Sequence, residues 1–208
     1  MNEFIQHLKE KIKRPLPGIE AQLKMAPITR PNHLPTPANA KLSAVMILLF
    51  KKNDEWNTIL IQRTSDGHAH SGQISFPGGK KDEDDESIVY TAFRECEEEI
   101  GIQKNSIELI GQLTSIYIPP SNFHVTPILG FIDEIFEIKP SIGEVDEVIF
   151  VPLKKLFDQN IKKESEVKMH TGTLIKSNAY VLPNHKIIWG ATAMIISELE
   201  HFLANENL

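Results

Sequence analysis

The sequence predicts an α/β sandwich, because apolar patterns typical of strands and of helices are mixed along the chain. Two apolar runs, Leu42 to Lys51 and Trp56 to Gln62, flank a polar turn and predict a β-hairpin. Residues 86 to 100 carry apolar residues at helical spacing. A last helix is expected from about Ala191 to Leu203, with Trp189 packed in the core just before it.

The first 39 residues have a pattern of their own. Apolar residues recur at helical spacing within residues 3 to 13 and predict a short amphipathic helix. Four prolines within residues 26 to 37 disfavour regular structure and predict an extended connector. We therefore divide the chain into an N-terminal helix with a proline-rich connector, residues 1–39, and a main domain with its C-terminal helix, residues 40–208. The pattern leaves open whether the helix covers that domain or a partner subunit in a homodimer.

The rest of the main domain is predicted as strands and loops. Residues 64 to 86 have little periodicity and contain five glycines and prolines, so they are expected to form a long loop. Strands should follow at about residues 107–118, 125–131 and 145–151. A weaker β region at residues 167–182 precedes the last helix.

Composition limits the function classes. A net charge of -6 argues against a general nucleic-acid binder, which needs a basic face. Cys96 is the only cysteine, so neither an internal disulfide nor a cysteine cluster for zinc can form, and its place in an apolar helical stripe predicts core packing. The longest apolar run, Ala44 to Phe50, is too short to cross a membrane, and we expect a cytoplasmic protein.

Acidic residues are densest at residues 82–86 and 95–99. Most charge runs are solvated surface, but the spacing here favours a site. On a helix, Glu98 and Glu99 lie within about 60° of Glu95, so three carboxylates share one face. Like charges at this spacing destabilise a helix, and a hard cation such as magnesium or manganese would relieve the repulsion.

A glycine loop precedes this helix. Gly78 and Gly79 let the backbone approach a ligand closely, because glycine has no Cβ. Lys80 and Lys81 follow the loop, and Arg94 can brace one carboxylate from the side. These residues together predict a cradle for a metal–pyrophosphate.

The same residues carry a resemblance to a known family. The segment from Arg94 to Ile102, Arg-Glu-Cys-Glu-Glu-Glu-Ile-Gly-Ile, resembles the second half of the Nudix signature. Glu86 matches a further signature position upstream. Gly79 stands one residue farther from Arg94 than the general pattern has it, so this loop is longer. The resemblance extends from about residue 40 to at least residue 155.

The resemblance implies an α/β/α sandwich with a mixed sheet, in which the signature forms a loop–helix–loop. It implies that Glu95, Glu98 and Glu99 bind magnesium, or manganese in its place, and that the Gly78 carbonyl is a further ligand. Arg94 would orient a glutamate. The implied reaction is attack of water on a diphosphate, with metal ions activating the water.

The resemblance does not identify the general base. Glu95 is one candidate, and Glu144 and Glu147, on a predicted loop before Val148, are others. Glu147 is preferred over Glu144 because Asp146-Glu147-Val148 gives the closer match to the family subgroup described next.

Longer similarities point to the coenzyme A pyrophosphatases. Residues 60–65 and 70–79 resemble the extended upstream motif of that subgroup, which also tends to carry the longer loop. Residues 120–127, 146–148 and 188–193 are further matches. The resemblance implies cleavage of coenzyme A to 3′,5′-ADP and 4′-phosphopantetheine. The candidate substrate-binding residues are Arg63, His70, Lys80 and Lys81.

One departure concerns the substrate. Gly67-His68 stands where that subgroup commonly has Leu-Arg, which would weaken contact with the 3′-phosphate unless Arg63, Lys80 or Lys81 compensates. ADP-ribose, NADH and dinucleotides therefore stay open as small-molecule nucleotide substrates. A non-catalytic nucleotide-binding module is disfavoured, because all three metal glutamates are present. An RNA-decapping enzyme is disfavoured by the charge balance.

Overall fold

Five α-helices and eleven strands lie in the part of the chain that the computed structural model describes, residues 2–65, 72–134, 137–169 and 172–208. The helices are α1 (Glu3–Lys11), α2 (Gly18–Leu23), α3 (Ile88–Ile100), α4 (Leu153–Leu156) and α5 (Gly190–Phe202). The strands are β1 (Lys41–Lys52), β2 (Glu55–Arg63), β3 (Ile74–Ser75), β4 (Gly78–Lys80), β5 (Glu108–Gln112), β6 (Ile116–Ile118), β7 (Phe123–Phe131), β8 (Val145–Pro152), β9 (Lys162–Lys168), β10 (Leu174–Val181) and β11 (Ile187–Trp189). Among the described residues, no helix is both long enough and apolar enough to cross a membrane.

Strand β1 is the centre of a mixed sheet. It runs parallel to β7, with Lys41 opposite Phe123 and Leu49 opposite Phe131. It runs antiparallel to β2 and β4, which pair with different parts of its length. Strands β5 and β6 join β7, while β3 and β8 join β2. The expected α/β fold with a mixed sheet is confirmed.

Side chains of β1 alternate between two apolar clusters, because successive residues of a strand point to opposite faces. Ile47 and Leu49 belong to the cluster that contains residues of α1 and α5. Met46 and Leu48 belong to the cluster that contains residues of α3. The second cluster also holds Cys96, which is fully buried as expected, and burial raises the pKa of its thiol. Helices therefore cover both faces of the sheet.

Two predicted β regions are each divided in the structure. The predicted strand at residues 107–118 is β5 and β6, which both pair with β7 but leave residues 113–115 between them. The weaker region at residues 167–182 contains the end of β9 and all of β10, and β9 begins earlier than predicted. Together with β11 these two strands form a separate antiparallel sheet.

The N-terminal helix covers its own domain. Ile5 and Leu8 are fully buried in the larger apolar cluster, and the Asn2 side chain caps α1 by accepting a hydrogen bond from the Phe4 N–H (3.1 Å). Helix α2 was not predicted, since it is only six residues long and follows directly on Pro17. The division of the chain at residue 39 stays a prediction.

Buried Glu198 ties α2 to α5. Its carboxylate accepts hydrogen bonds from the Gly18 N–H (3.2 Å), the Gln22 side-chain amide (2.7 Å) and the Thr114 N–H (3.1 Å). These three donors satisfy a carboxylate that is fully removed from solvent. They also hold α2, which precedes the proline-rich connector, against α5.

Candidate active site

Helix α3 carries the signature glutamates and is delimited by local signals. The Ser87 hydroxyl caps its first turn by accepting from the Tyr90 N–H (3.1 Å), so the helix begins two residues later than predicted. Gly101 ends it in the left-handed conformation, at φ 76°. The residues that anchor α3 in the core are Ala92, Cys96 and Ile100.

Both glycines of the loop are needed for close packing. Gly78 has φ +155°, and a Cβ there would lie 2.3 Å from the Ala44 carbonyl oxygen of β1. A Cβ on Gly79 would lie 2.4 Å from Oε2 of Glu95. The bare backbone of β4 is therefore held between β1 and the carboxylate of α3. The predicted close approach to a ligand stays a prediction.

Glu99 lies beneath this loop with its side chain only 3% exposed. It accepts hydrogen bonds from the Gly78 N–H (2.8 Å) and from Nη1 of Arg63 (2.7 Å). Burial raises the pKa of Glu99 to about 7, although Arg63 and the Gly78 N–H both favour the charged form. A second cation at this carboxylate would stabilise its charge further.

Arg94 is anchored by a buried carboxylate. Its Nε and Nη2 donate to the two oxygens of Asp85 (2.9 and 3.0 Å), in the bidentate geometry that suits a guanidinium. Asp85 also accepts from the Asp82 N–H (2.9 Å) and the Thr91 hydroxyl (2.8 Å). The hydrogen bonds from Arg94 hold the pKa of Asp85 well below its usual range. Asp85 was not among the predicted site residues, and its position in the acidic run was the only sequence signal.

Nη1 of Arg94 is shared by two glutamates. It lies 2.8 Å from Oε1 of Glu95 and 2.8 Å from Oε2 of Glu98. The Glu95 side chain is 16% exposed, and burial raises its pKa against the opposing effect of Arg94. The Glu98 side chain is 54% exposed.

Helical spacing predicted that the three carboxylates share one face, and in the structure they have different partners. Glu95 and Glu98 turn to Arg94, whereas Glu99 turns to Arg63 and the loop backbone. Within the described ranges, no group of three His, Cys, Asp or Glu side chains is arranged to hold a metal ion. The donor set nevertheless fits a hard cation, because the carboxylates of Glu95 and Glu99 lie against the bare backbone of Gly79 and Gly78 and Glu98 is held beside Glu95 by Arg94.

The predicted substrate-binding cations differ in position. Arg63 and Lys80 line the cavity next to the glycine loop. Lys81 does not line the cavity, and its Nζ donates to the carbonyls of Asp82 (3.2 Å) and Asp85 (2.6 Å). His70 lies outside the described residues.

Glu147 lies on β8 and not on a loop as predicted. It stands opposite Gln62 in the ladder between β2 and β8, because the strand already begins at Val145. Its carboxylate is half-exposed and pairs with Nζ of Lys186 (2.9 Å). Glu144 lies in the turn before β8, and its side chain is exposed. Neither glutamate is among the residues that line the cavity.

An open cavity of about 720 Å³ adjoins the glycine loop. Gly78, Gly79 and Arg63 form part of its lining, together with Arg30 of the connector. Arg30 was not predicted, since nothing local marks an arginine between prolines as part of a distant cavity. The apolar lining includes Pro31, Leu34, Ile118, Ile175 and Trp189. Trp189 was expected in the core, but it lies at the junction of β11 and α5 and lines the cavity half-buried.

A family model described as the NUDIX domain matches residues 40–170. The chain belongs to the Nudix family. Nudix hydrolase 15, mitochondrial, from Arabidopsis thaliana is 32% identical to it over 200 residues, covering 94% of this chain and 69% of that protein. The Nudix hydrolase NudL from Yersinia enterocolitica is 32% identical over 163 residues, covering 78% of this chain and 81% of that protein.

Solved Nudix structures share the fold. The NUDIX domain of Shewanella oneidensis NrtR, complexed with ADP ribose, matches with a TM-score of 0.53 at 16% identity, over 83% of this chain and 95% of that one. The M. smegmatis Nudix hydrolase RenU matches with a TM-score of 0.56 at 15% identity, over 81% and 89%. The chain is thus a Nudix pyrophosphohydrolase, of a family that generally requires a divalent metal ion.

Proposed function

We propose that the chain is a magnesium-dependent pyrophosphohydrolase that cleaves coenzyme A to 3′,5′-ADP and 4′-phosphopantetheine. The lining of the cavity carries this proposal. Its volume of about 720 Å³ suits a cofactor-sized ligand. The loop at Gly78 and Gly79 suits a diphosphate, and the largely apolar remainder suits a long uncharged arm. Coenzyme A joins a diphosphate to such an arm.

Three segments that resemble coenzyme A pyrophosphatases contribute to this cavity. Gln73 and Phe76 come from the upstream motif, Phe123 comes from residues 120–127, and Thr192 comes from residues 188–193. These segments are far apart in sequence, so their meeting around one cavity supports a shared role in binding the substrate. The family membership alone does not select this substrate.

Magnesium would be held by Glu95, Glu98 and Glu99, with the Gly78 carbonyl as a further ligand. When bound, magnesium lowers the pKa of a coordinated water and offsets charge on the diphosphate oxygens. The chain's own contribution is to position these donors. Arg94 fixes two of the carboxylates, and donors from the loop backbone and from β2 fix the third.

Two glutamates are compared as the general base. A base must come within hydrogen-bonding distance of the water that it deprotonates. Glu95 lies against Gly79 of the glycine loop, whereas Glu147 is paired with Lys186, and neither glutamate is part of the cavity lining. The position of Glu95 beside the loop where the diphosphate is expected favours it as the base, and a single substitution at Glu147 tests the alternative.

The proposal is tested with a panel of diphosphates. Coenzyme A, dephospho-coenzyme A, ADP-ribose, NADH and a dinucleotide are each incubated with magnesium, and the products are identified by mass. Among the compounds other than dephospho-coenzyme A, we expect coenzyme A to have the highest kcat/KM. No compound should be turned over in excess chelator. A higher kcat/KM for ADP-ribose would contradict the substrate assignment. Binding without turnover of any compound would point to a non-catalytic module.

A cytoplasmic location is also proposed, because a single cysteine offers no internal disulfide.

A further inference from the structure

Arg30 is a cation in the cavity wall that has no anionic partner among the described residues. It lies on the proline-rich connector, half-buried, and it lines the same cavity as the glycine loop. Burial lowers the pKa of its guanidinium, and no carboxylate among the described residues offsets that effect. A partly buried charge without an anionic partner is costly, which makes a bound anion a physical reason for its presence.

The backbone around Arg30 is held on two sides. Pro27 pairs with Ser177, and the Ile28 N–H donates to the Lys176 carbonyl (3.2 Å), which fastens the connector to β10. Nη2 of Arg30 donates to the Tyr117 carbonyl on β6 (2.8 Å). The guanidinium is therefore positioned by two sheets.

The hydrogen bonding of this guanidinium is incomplete. Its Nε is buried and has no hydrogen-bond acceptor among the described residues. The bond from Nη2 to the Tyr117 carbonyl is the only hydrogen bond that the Arg30 side chain forms with those residues. Nη1 is left with its donor capacity for a ligand. Arginine presents such donors in a planar fork that matches the oxygens of a phosphate.

The anchor of Arg30 is well separated from the diphosphate cradle. Tyr117 stands opposite His124, and His124 stands opposite Leu42. The Leu42 carbonyl accepts from the Lys81 N–H at the end of β4. Three strand spacings of about 4.8 Å therefore separate β6 from β4, or about 14 Å in all. An anion at Arg30 would be a second anionic group of the ligand and not the diphosphate at the glycine loop.

The cations first considered for such a group are less suited. Arg63 is paired with Glu99 at 2.7 Å. Lys81 is bound to two backbone carbonyls and does not line the cavity. Lys80 lines the cavity next to the glycine loop, where the diphosphate is expected.

We propose that Arg30 binds a phosphomonoester of the substrate, which in coenzyme A is the 3′-phosphate. Arg30 then takes the place of an arginine that the chain lacks. The chain has Gly67-His68 where the coenzyme A subgroup commonly has Leu-Arg. The inference rests on the proposed function. It makes Arg30 a residue that determines specificity and not one that takes part in bond cleavage.

The test compares Arg30→Gln and Arg30→Lys with the wild type and with Arg14→Gln, a control at an exposed arginine. Steady-state kinetics are measured on coenzyme A and on dephospho-coenzyme A, which lacks the 3′-phosphate. We expect Arg30→Gln to raise KM for coenzyme A about tenfold to a hundredfold, the range for losing a charged hydrogen bond. Its kcat and both constants for dephospho-coenzyme A should stay close to the wild type. Arg30→Lys should keep part of the preference.

A binding measurement separates this inference from the proposed function. Calorimetry should show that the wild type binds 3′,5′-ADP more tightly than 5′-AMP. Arg30→Gln should bind the two nucleotides with equal affinity. If the wild type does not cleave coenzyme A but shows this Arg30-dependent difference, the substrate assignment fails and the phosphomonoester site stands. Equal losses on both coenzyme A substrates, or an unchanged preference in Arg30→Gln, would overturn the inference. Equal affinity of the wild type for the two nucleotides would also overturn it, without any variant.

Discussion

The pairing of Asp85 with Arg94 can be tested by a graded substitution. Asp85 accepts one hydrogen bond at Oδ1, from Nε of Arg94, and three at Oδ2, from Nη2 of Arg94, the Asp82 N–H and the Thr91 hydroxyl. In Asp85→Asn the amide nitrogen should take the Oδ1 position, because that orientation places it against one donor and not three. The variant then loses one charge-assisted hydrogen bond and the negative charge itself.

The structure gives different magnitudes for two substitutions of this residue. Asp85→Asn should lower the free energy of unfolding by about 2 kcal/mol, the value for one hydrogen bond to a charged group. Asp85→Ala removes all four bonds and leaves Arg94 without its anchor, so we expect about 4 kcal/mol. Asp84→Asn, a change at the exposed neighbouring carboxylate, should stay within about 0.5 kcal/mol of the wild type.

Urea unfolding at several pH values checks how the stabilisation by ionised Asp85 changes with pH. The pKa of Asp85 is depressed in the folded state, so its stabilisation is fully present above the unfolded value of 3.8 and is lost as the pH falls toward the folded value. The difference between the wild type and Asp85→Asn should therefore be constant from pH 8 to pH 5 and narrow below about pH 4. A difference that disappears already between pH 8 and pH 6 would refute this assignment.

Activity provides a second measurement on the same variants. Arg94 holds Glu95 and Glu98, so weakening of its anchor in Asp85→Asn should shift both carboxylates. We expect kcat of Asp85→Asn to fall by on the order of tenfold to a hundredfold at temperatures where the variant is fully folded. Full activity together with unchanged stability would show that Asp85 does not position Arg94.

The remaining predictions concern the metal, the base and the glycine loop. Glu98→Gln and Glu99→Gln should nearly abolish turnover at millimolar magnesium while leaving the fold intact by circular dichroism, and turnover in excess chelator would contradict a metal role. Glu147→Gln should keep kcat near the wild-type value, because its carboxylate is paired with Lys186 and not with the groups around the glycine loop; a loss of about two to four orders of magnitude that added magnesium does not rescue would restore it as the base. Gly79→Ala should lower kcat while leaving the free energy of unfolding almost unchanged, because the new Cβ would displace the Glu95 carboxylate, which is the flexible end of a side chain. A normal kcat would show that the contact between Gly79 and Glu95 does not affect catalysis.

Local sequence determined the helix and loop that carry the site. The limits of α3 follow from the capping Ser87 and the left-handed Gly101. The spacing of the glutamates follows from the helical period, and Gly78 and Gly79 follow from a backbone that no Cβ can approach. The helix limits and the glutamate spacing depend on residues close together in sequence, whereas the contacts that exclude a Cβ at Gly78 and Gly79 involve Ala44 and Glu95. The loop–helix–loop as a whole was expected from the family resemblance.

Only the tertiary structure decided the partners and environments of these residues. Three glutamates with equivalent helical spacing have three environments, because Arg63 reaches Glu99 from a strand 36 residues away while Arg94 holds the other two. Glu147 on β8 meets Lys186 next to β11, and Arg30 of the connector meets Tyr117 on β6, a pair 87 residues apart. Such pairs depend on strand register and chain topology. The period of a helix or strand determines which face a side chain occupies, but it contains no information about which distant residue will lie opposite that face.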